Sequence, residues 1–188
     1  SFLKNEGCEV VAWDEILKEG TFPEVTIQNW SLTGGKRIIR GIKEGQKCIV
    51  SNATKYYLDY PFHVFPLRST YTFNPELEGL SKPDAQNILG IEAPLWTEAV
   101  DSALRIHWQM FPRLTAVSES AWTLEENKSF ESFLTRLEYM NKRYDALGVN
   151  YAAKASYRYD GKPRILKVFL APDHVATLEY QKYYMTKE

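Results

Sequence analysis

The stretch ILGIEAPLWTE, residues 88–98, joins a short apolar run to a tryptophan and a glutamate just beyond it. Its first part, residues 88–93, has the length and composition of a buried β-strand. Three earlier runs share this character and are predicted as strands at residues 8–13, 25–30 and 47–51. Residues 35–43 carry apolar and basic side chains at helical spacing. Short apolar strands that alternate with helices are typical of parallel βα units.

Helical periodicity dominates the sequence after the fourth strand. It predicts helices over residues 103–110 and 114–121, which are separated near Pro112. A longer helix is predicted over residues 127–147, capped by Asn127 or Ser129 and stopped at Gly148. A further helix end is predicted at residues 2–4, where the chain runs into Gly7.

The four βα units predict an α/β fold of the (β/α)8 TIM-barrel type. A complete barrel takes roughly 250 residues, so this chain would supply about half of one. Residues 1–151 would form this half barrel, followed by a tail over residues 152–188. In the tail, Asp160 and Gly161 predict the turn of a β-hairpin.

Composition excludes several classes of partner. The 23 basic and 24 acidic residues nearly cancel, which gives no electrostatic reason to expect nucleic acid or an anionic membrane surface. No apolar run approaches the roughly 18 residues that a membrane span needs. Two cysteines, Cys8 and Cys48, are too few for a disulfide framework or a zinc site. Both lie in apolar segments and are predicted to be buried free thiols, and we expect no metal and no cofactor.

Aromatic residues are abundant, at 14% of the chain, and several of them fall at predicted strand ends. In a barrel, functional groups gather at the carboxyl ends of the strands. The residues placed there are Trp13, Trp30, Tyr57, Asp59, Trp96 and Glu98. Aromatic walls with a few polar groups suit a neutral, hydroxyl-rich ligand such as a sugar. A single tryptophan at a strand end is more often part of a core, and that is the interpretation we give to Trp108 and Trp122.

Several motifs carry a resemblance to glycoside hydrolase family 20, the β-N-acetylhexosaminidases. They occur in the family's order over about residues 1–151, as the carboxyl-terminal half of its catalytic barrel. Residues 12–17 (AWDEIL) resemble the fifth-strand motif, residues 28–30 (QNW) the sixth-strand tryptophan, and residues 56–59 (YYLD) the motif after strand seven. Residues 88–98 resemble the eighth strand, and the match continues through FPRL at 111–114, ESAWT at 119–123 and GVNY at 148–151.

The resemblance implies removal of terminal β-linked N-acetylglucosamine or N-acetylgalactosamine from glycans with retention of configuration. The acetamido oxygen of the substrate acts as the nucleophile in this family. By position, three tryptophans, Trp13, Trp30 and Trp96, would enclose the acetamido group, and Trp96 would also stack under the sugar ring. Tyr57 would donate a hydrogen bond to the acetamido oxygen and is the catalytic residue implied.

The remaining implied roles belong to two carboxylates. Asp59 and Glu98 would accept hydrogen bonds from sugar hydroxyls and so bind the substrate. Each also has a plain structural interpretation, as a loop-turn aspartate and as a residue favouring a helix start. The resemblance further implies an exported, periplasmic or extracellular bacterial location, whereas the residues themselves indicate none.

The family's catalytic Asp-Glu pair belongs to the end of strand four, which has no counterpart in this sequence. The adjacent carboxylates Asp14 and Glu15 do not replace it, because Trp13 before them matches the fifth-strand motif; they are expected to start and tether the next segment. The isolated chain is therefore predicted to be inactive. The missing amino-terminal half barrel would come from the same polypeptide, another chain or a symmetry partner.

Two alternatives remain open at this point. A non-catalytic glycan-binding module derived from this fold would keep the aromatic cage and bind N-acetylglucosamine without hydrolysis. A scaffold or interaction fragment would use the aromatics for packing only, so that Trp96→Ala would not affect sugar binding.

Overall fold

The computed structural model describes residues 2–31, 35–98 and 100–152, and within them the chain has an α/β fold built on a parallel sheet. The tail hairpin predicted at Asp160 and Gly161 lies outside the described residues. In chain order the elements are α1 (Phe2–Asn5), β1 (Val10–Trp13), β2 (Val25–Asn29), α2 (Gly35–Lys43), β3 (Cys48–Val50), α3 (Ala53–Tyr56), α4 (Leu67–Tyr71), α5 (Lys82–Ala85), β4 (Ile88–Ile91), α6 (Ala103–Met110), α7 (Arg113–Trp122) and α8 (Phe130–Ala146). Short 3-10 helices cover Asp14–Lys18 and Glu125–Asn127.

The described strands form one sheet in the order β1-β2-β3-β4, and every neighbouring pair is parallel. Val10 is in register with Val25, and Ile27 is in register with Cys48. The register shifts by one residue between β3 and β4, where Ile49 lies opposite Gly90. Since the strands are parallel and in sequential order, all of their carboxyl ends lie along the same edge of the sheet.

Helices cover one face of this sheet. Because successive strand residues point to opposite faces, alternate residues of β2 and β3 meet α2 and α7 and close a core of buried side chains. This first core consists of Leu17, Ile27, Ile38, Ile42, Cys48, Val50, Tyr56 and Val117. A second core lies between α4, α7 and α8 and consists of Phe62, Leu67, Tyr71, Ala116, Phe130, Phe133, Leu137 and Ala152.

The opposite face of the sheet is open within the described residues. Val11 on β1 and Leu89 on β4 are each more than half exposed, although both are apolar strand residues. The outer edges of these two strands also have no strand partner among the described residues. Sheets of parallel strands are normally covered on both faces, so this arrangement leaves apolar surface that a further structural unit could cover.

Most predicted element boundaries agree with the structure to within a few residues. The helix predicted at 35–43 is α2, and the break near Pro112 separates α6 from α7. Ser129, rather than Asn127, caps α8, with its side chain accepting a hydrogen bond from the backbone N–H of Ser132 at 3.3 Å. Gly148 has the positive φ of +65° expected of a glycine stop.

Two burial predictions are wrong, each for a local reason. Cys8 is exposed because β1 begins only at Val10, which leaves this cysteine in the turn after α1, whereas Cys48 is buried as expected. Trp122 is 90% exposed because it lies off the buried face of α7. Trp108 does pack against the second core, with its ring 5.2 Å from that of Phe62.

Candidate active site

The predicted site residues all lie at or just beyond the carboxyl ends of the strands. Trp13 is the last residue of β1, and Trp30 directly follows β2. Tyr57 immediately follows α3, the short helix that begins just after β3, and Trp96 follows β4. The parallel topology therefore places residues that are far apart in sequence at the same edge of the sheet.

These side chains line one cavity of about 370 Å³. Its lining contains every site residue predicted from the sequence and two more. The full set is Trp13, Glu15, Trp30, Tyr57, Asp59, Tyr60, Trp96 and Glu98. Within the described residues the cavity is open to solvent, since Trp13, Trp96 and Glu98 are exposed.

Trp96 is at the centre of the aromatic wall. Its ring centroid lies 6.1 Å from that of Trp13, with the planes inclined by 46°. The ring of Tyr57 lies 6.2 Å from Trp96 at 55°. These inclined rings form a concave surface with apolar faces, which is the shape and chemistry that the C–H faces of a pyranose ring and a methyl group require.

Hydrogen bonds from the helices hold the loop that carries Tyr57 and Asp59. The guanidinium of Arg113 donates to the backbone oxygen of Leu58 at 2.6 Å. The side-chain amide of Gln109 donates to the backbone oxygen of Asp59 at 2.6 Å. Both donors are completely buried, so water does not compete for these bonds. This support was not predicted, because Gln109 and Arg113 are polar residues at helical positions that normally face solvent.

A hydrogen bond also ties this loop to the segment after β4. The backbone N–H of Leu58 donates to the oxygen of Pro94 at 2.8 Å. The positions of Tyr57 and Trp96 are therefore coupled through the main chain as well as through their rings.

Burial raises the pKa of the Tyr57 hydroxyl above its ordinary value. A hydrogen bond with the Trp96 side chain opposes this effect, and the negative charges of Asp59 and Glu92 add to it. Tyr57 therefore keeps its proton at neutral pH and can act as a hydrogen-bond donor.

Burial likewise raises the pKa of the Asp59 carboxyl above its ordinary value of 3.8. Backbone N–H groups of Asp59 and Trp96 and the Arg113 guanidinium oppose the increase, whereas the negative charge of Glu98 contributes to it. Asp59 and Glu98 thus form an acidic side to the cavity that can accept hydrogen bonds.

Glu15 and Tyr60 line the cavity but were not predicted as site residues. Both are close in sequence to a predicted site residue: Glu15 lies two positions after Trp13, and Tyr60 lies one position after Asp59. That adjacency is the only signal that the sequence contains for them.

A larger cavity of about 690 Å³ lies elsewhere, beside α2 and the loop around Phe73 and Leu77. None of the predicted site residues lines it. We therefore assign the candidate active site to the smaller cavity, where the polar and aromatic groups converge.

Over residues 2–31, 35–98 and 100–152, no group of three or more His, Cys, Asp or Glu side chains is arranged to hold a metal ion. In the same part of the chain, no helix has both the length and the apolar character needed to cross a membrane.

Comparison with known proteins gives a consistent result. The sequence model described as "Glycosyl hydrolase family 20, catalytic domain" matches residues 1–125. The chain is 31% identical over 160 residues to a β-hexosaminidase of Porphyromonas gingivalis, which covers 79% of this chain and 20% of that protein. It is 24% identical over 173 residues to a β-N-acetylhexosaminidase of Cellulomonas fimi, covering 86% of this chain and 35% of that protein.

Solved structures show the same similarity in three dimensions. The family 20 exo-β-N-acetylglucosaminidase of Vibrio harveyi, solved in complex with N-acetylglucosamine, superimposes with a TM-score of 0.72 at 25% identity. That alignment covers 80% of this chain and 26% of the Vibrio chain. The hexosaminidase of Streptomyces coelicolor A3(2) gives a TM-score of 0.72 at 24% identity. The chain thus spans 20% and 35% of the length of the two curated relatives described above.

Proposed function

Since the chain belongs to glycosyl hydrolase family 20, we propose that it forms the substrate-holding half of a β-N-acetylhexosaminidase. The reaction is hydrolysis of a terminal β-linked N-acetylglucosamine or N-acetylgalactosamine, with the acetamido oxygen of the substrate attacking the anomeric carbon. The observation that carries the proposal is the convergence of Trp13, Trp30, Tyr57 and Trp96, with two carboxylates, on one cavity at the ends of the parallel strands.

The aromatic wall accounts for the choice of an N-acetylated sugar. Trp13, Trp30 and Trp96 offer apolar faces to the acetamido methyl group, and Trp96 also offers one to the pyranose ring. A closely surrounded acetamido group is held with its oxygen near the anomeric carbon. Holding reacting atoms in such a near-attack geometry accelerates a reaction without any nucleophile from the protein.

Tyr57 directs the acetamido oxygen on this proposal. Its hydroxyl remains protonated because burial raises its pKa, so it donates a hydrogen bond to that oxygen. Asp59 and Glu98 accept hydrogen bonds from sugar hydroxyls. Together these polar contacts fix the orientation of the sugar relative to the aromatic wall.

The proton for the leaving group comes from outside this chain on our proposal. A general acid has to lie within hydrogen-bond reach of the glycosidic oxygen. We propose that an Asp-Glu pair on the amino-terminal half of the barrel supplies it. That half would belong to the same polypeptide, another chain or a symmetry partner. It would pair with β1 and β4 and cover exposed apolar residues such as Val11 and Leu89.

The proposal is tested by comparing residues 1–188 alone with the complete enzyme, by which we mean this chain together with the missing half barrel. The complete enzyme should hydrolyse 4-nitrophenyl N-acetyl-β-D-glucosaminide, and residues 1–188 alone should not. Trp96→Ala should weaken the inhibition of the complete enzyme by free N-acetylglucosamine.

Two results would contradict the proposal. One is a complete polypeptide that binds N-acetylglucosamine but hydrolyses no β-N-acetylhexosaminide, which would establish the glycan-binding module instead. The other is residues 1–188 alone with a kcat comparable to that of the complete enzyme, because then the acid would lie within this chain.

A further inference from the structure

A buried carboxylate ties together the ends of the two strands that carry Trp13 and Trp30. Asp14 directly follows Trp13 and is only 3% exposed. Its Oδ2 atom accepts a hydrogen bond from the side-chain amide of Asn29 at 2.6 Å. The same oxygen accepts from the hydroxyl of Ser31 at 2.8 Å and from its backbone N–H at 3.2 Å.

Asn29 and Ser31 are the residues on either side of Trp30. The carboxylate of Asp14 therefore holds the main chain of Trp30 from both directions. These hydrogen bonds therefore add a connection through the Asp14 side chain to the sheet hydrogen bonds that already join the two strands. The backbone of Trp30 is thus anchored to the residue that follows Trp13.

The next residue controls the side chain of Trp30. The Oε1 atom of Glu15 accepts a hydrogen bond from the indole Nε1–H of Trp30 at 3.0 Å. Asp14 thus holds the main chain around Trp30, and Glu15 holds its ring. Both carboxylates belong to the first turn of the 3-10 helix at Asp14–Lys18. An indole held at its only polar atom cannot turn about its side-chain bonds without breaking that hydrogen bond.

We infer that Asp14 and Glu15 are positioning residues, which set the place and the ring orientation of Trp30 in the acetamido pocket. This inference rests on the proposed function. The adjacent carboxylates resemble a catalytic pair in sequence, yet their hydrogen bonds are with Asn29, Trp30 and Ser31. On this inference they act on the reaction through the tryptophan. Glu15 also lines the cavity, and the Glu15→Gln variant distinguishes this positioning role from a direct action of its charge on the substrate.

The consequence for catalysis follows from the role of Trp30. If its ring is free to tilt, the acetamido oxygen is no longer held near the anomeric carbon. A misplacement of about 1 Å can cost about a hundredfold in rate. Loss of the Glu15 contact should thus lower kcat more than it changes KM, because the other walls of the cavity still bind the sugar.

Glu15 is the residue to test, since it is exposed and its replacement does not threaten folding. The complete enzyme is prepared as wild type, Glu15→Ala and Glu15→Gln, with ¹⁵N-labelled tryptophan. Glu19→Ala is the matched control, because Glu19 is an exposed glutamate at the end of the same short helix. The indole N–H signal of Trp30 is identified by its loss in Trp30→Phe.

Glu15→Ala should shift the Trp30 indole signal and lower kcat on 4-nitrophenyl N-acetyl-β-D-glucosaminide by about tenfold to a hundredfold, with KM changed much less. Glu15→Gln should restore most of both properties, since its amide oxygen can accept the same hydrogen bond. Glu19→Ala should leave both unchanged.

Three results would overturn the inference. One is an unchanged kcat in Glu15→Ala, and another is a reduced kcat with an unmoved indole signal. The third is a Glu15→Gln variant as impaired as Glu15→Ala, which would show that the charge acts on the substrate directly. An inactive wild-type enzyme would instead refute the proposed function, and an unmoved indole signal in Glu15→Ala would then still refute the positioning of Trp30.

Discussion

Removing one oxygen atom tests the centre of the proposed site. Tyr57→Phe keeps the aromatic ring 6.2 Å from Trp96 and deletes only the hydroxyl that would direct the acetamido oxygen. Tyr57 is 8% exposed, so bulk water has little access to take over the role of the lost donor. The variant therefore keeps the ring of the aromatic wall and removes the hydroxyl, together with its hydrogen bond with the Trp96 side chain.

The size of the effect follows from two contributions. A neutral hydrogen bond contributes about 0.5–1.5 kcal/mol, or roughly a factor of two to twelve in rate if it acts in the transition state. Loss of the near-attack orientation adds to this, up to about a hundredfold. We expect kcat of the complete enzyme to fall by roughly tenfold to a hundredfold, with KM rising by no more than the first factor.

The assay is steady-state hydrolysis of 4-nitrophenyl N-acetyl-β-D-glucosaminide. Tyr144→Phe is the matched control, because Tyr144 is similarly buried at 6% exposed and its hydroxyl is hydrogen-bonded to Thr115 outside the cavity. That variant should retain the wild-type kcat. If Tyr57→Phe also retained kcat to within about threefold, a directing role for the hydroxyl would be excluded.

Three further predictions concern pH, stability and thiol chemistry. On the proposed function the ionised form of Asp59 accepts a sugar hydroxyl, and burial raises the pKa of this carboxyl. Affinity for N-acetylglucosamine should therefore fall on acidification at a higher pH than an exposed aspartate would give. A pH titration of Kd should lose this step in Asp59→Asn. Arg113→Met should lower the unfolding free energy by about 2–5 kcal/mol in thermal or urea unfolding, because two buried carbonyl oxygens lose a charged donor. Arg136→Met is the control: it breaks a surface ion pair and should lower the unfolding free energy by no more than about 1 kcal/mol. Iodoacetamide at neutral pH should alkylate the exposed Cys8 and leave Cys48 unmodified until the protein unfolds. The reason is that Cys48 is buried, which raises the pKa of its thiol to about 12. Rapid alkylation of Cys48 in the folded protein, measured by peptide mass spectrometry, would contradict its placement in the core.

The strands and the cavity-lining residues could be predicted because they depend on short-range pattern and simple geometry. An apolar run such as residues 48–50 is a strand in the structure as well. Parallel strands in sequential order place their carboxyl ends at one edge, so Trp13, Trp30 and Trp96 could be expected along the same edge of the sheet. The half-barrel interpretation remains a prediction.

The supports of the site could not be predicted, because they are single contacts between residues far apart in sequence. The hydrogen bonds of Gln109 and Arg113 to the loop at 58–59 span 50 and 55 residues. No periodic pattern marks a polar helical residue that is to be buried. The prediction that Trp122 is buried was wrong for a similar reason. A shift of one position around a helix decides whether a side chain faces the core or the solvent.

These supports also bear on how the two halves of the proposed enzyme divide the work. Within this chain, Glu15 holds the ring of Trp30, and Gln109 and Arg113 hold the loop that carries Tyr57. None of these contacts needs a residue from outside the chain, so Trp30 and the loop that carries Tyr57 would be held in place before any other part of the proposed barrel joins this chain. A preorganised pocket spends less of its binding energy on ordering its own side chains. Changes in this half should accordingly alter which sugar is held and how precisely, whereas changes in the other half should alter proton transfer to a sugar that is already in place.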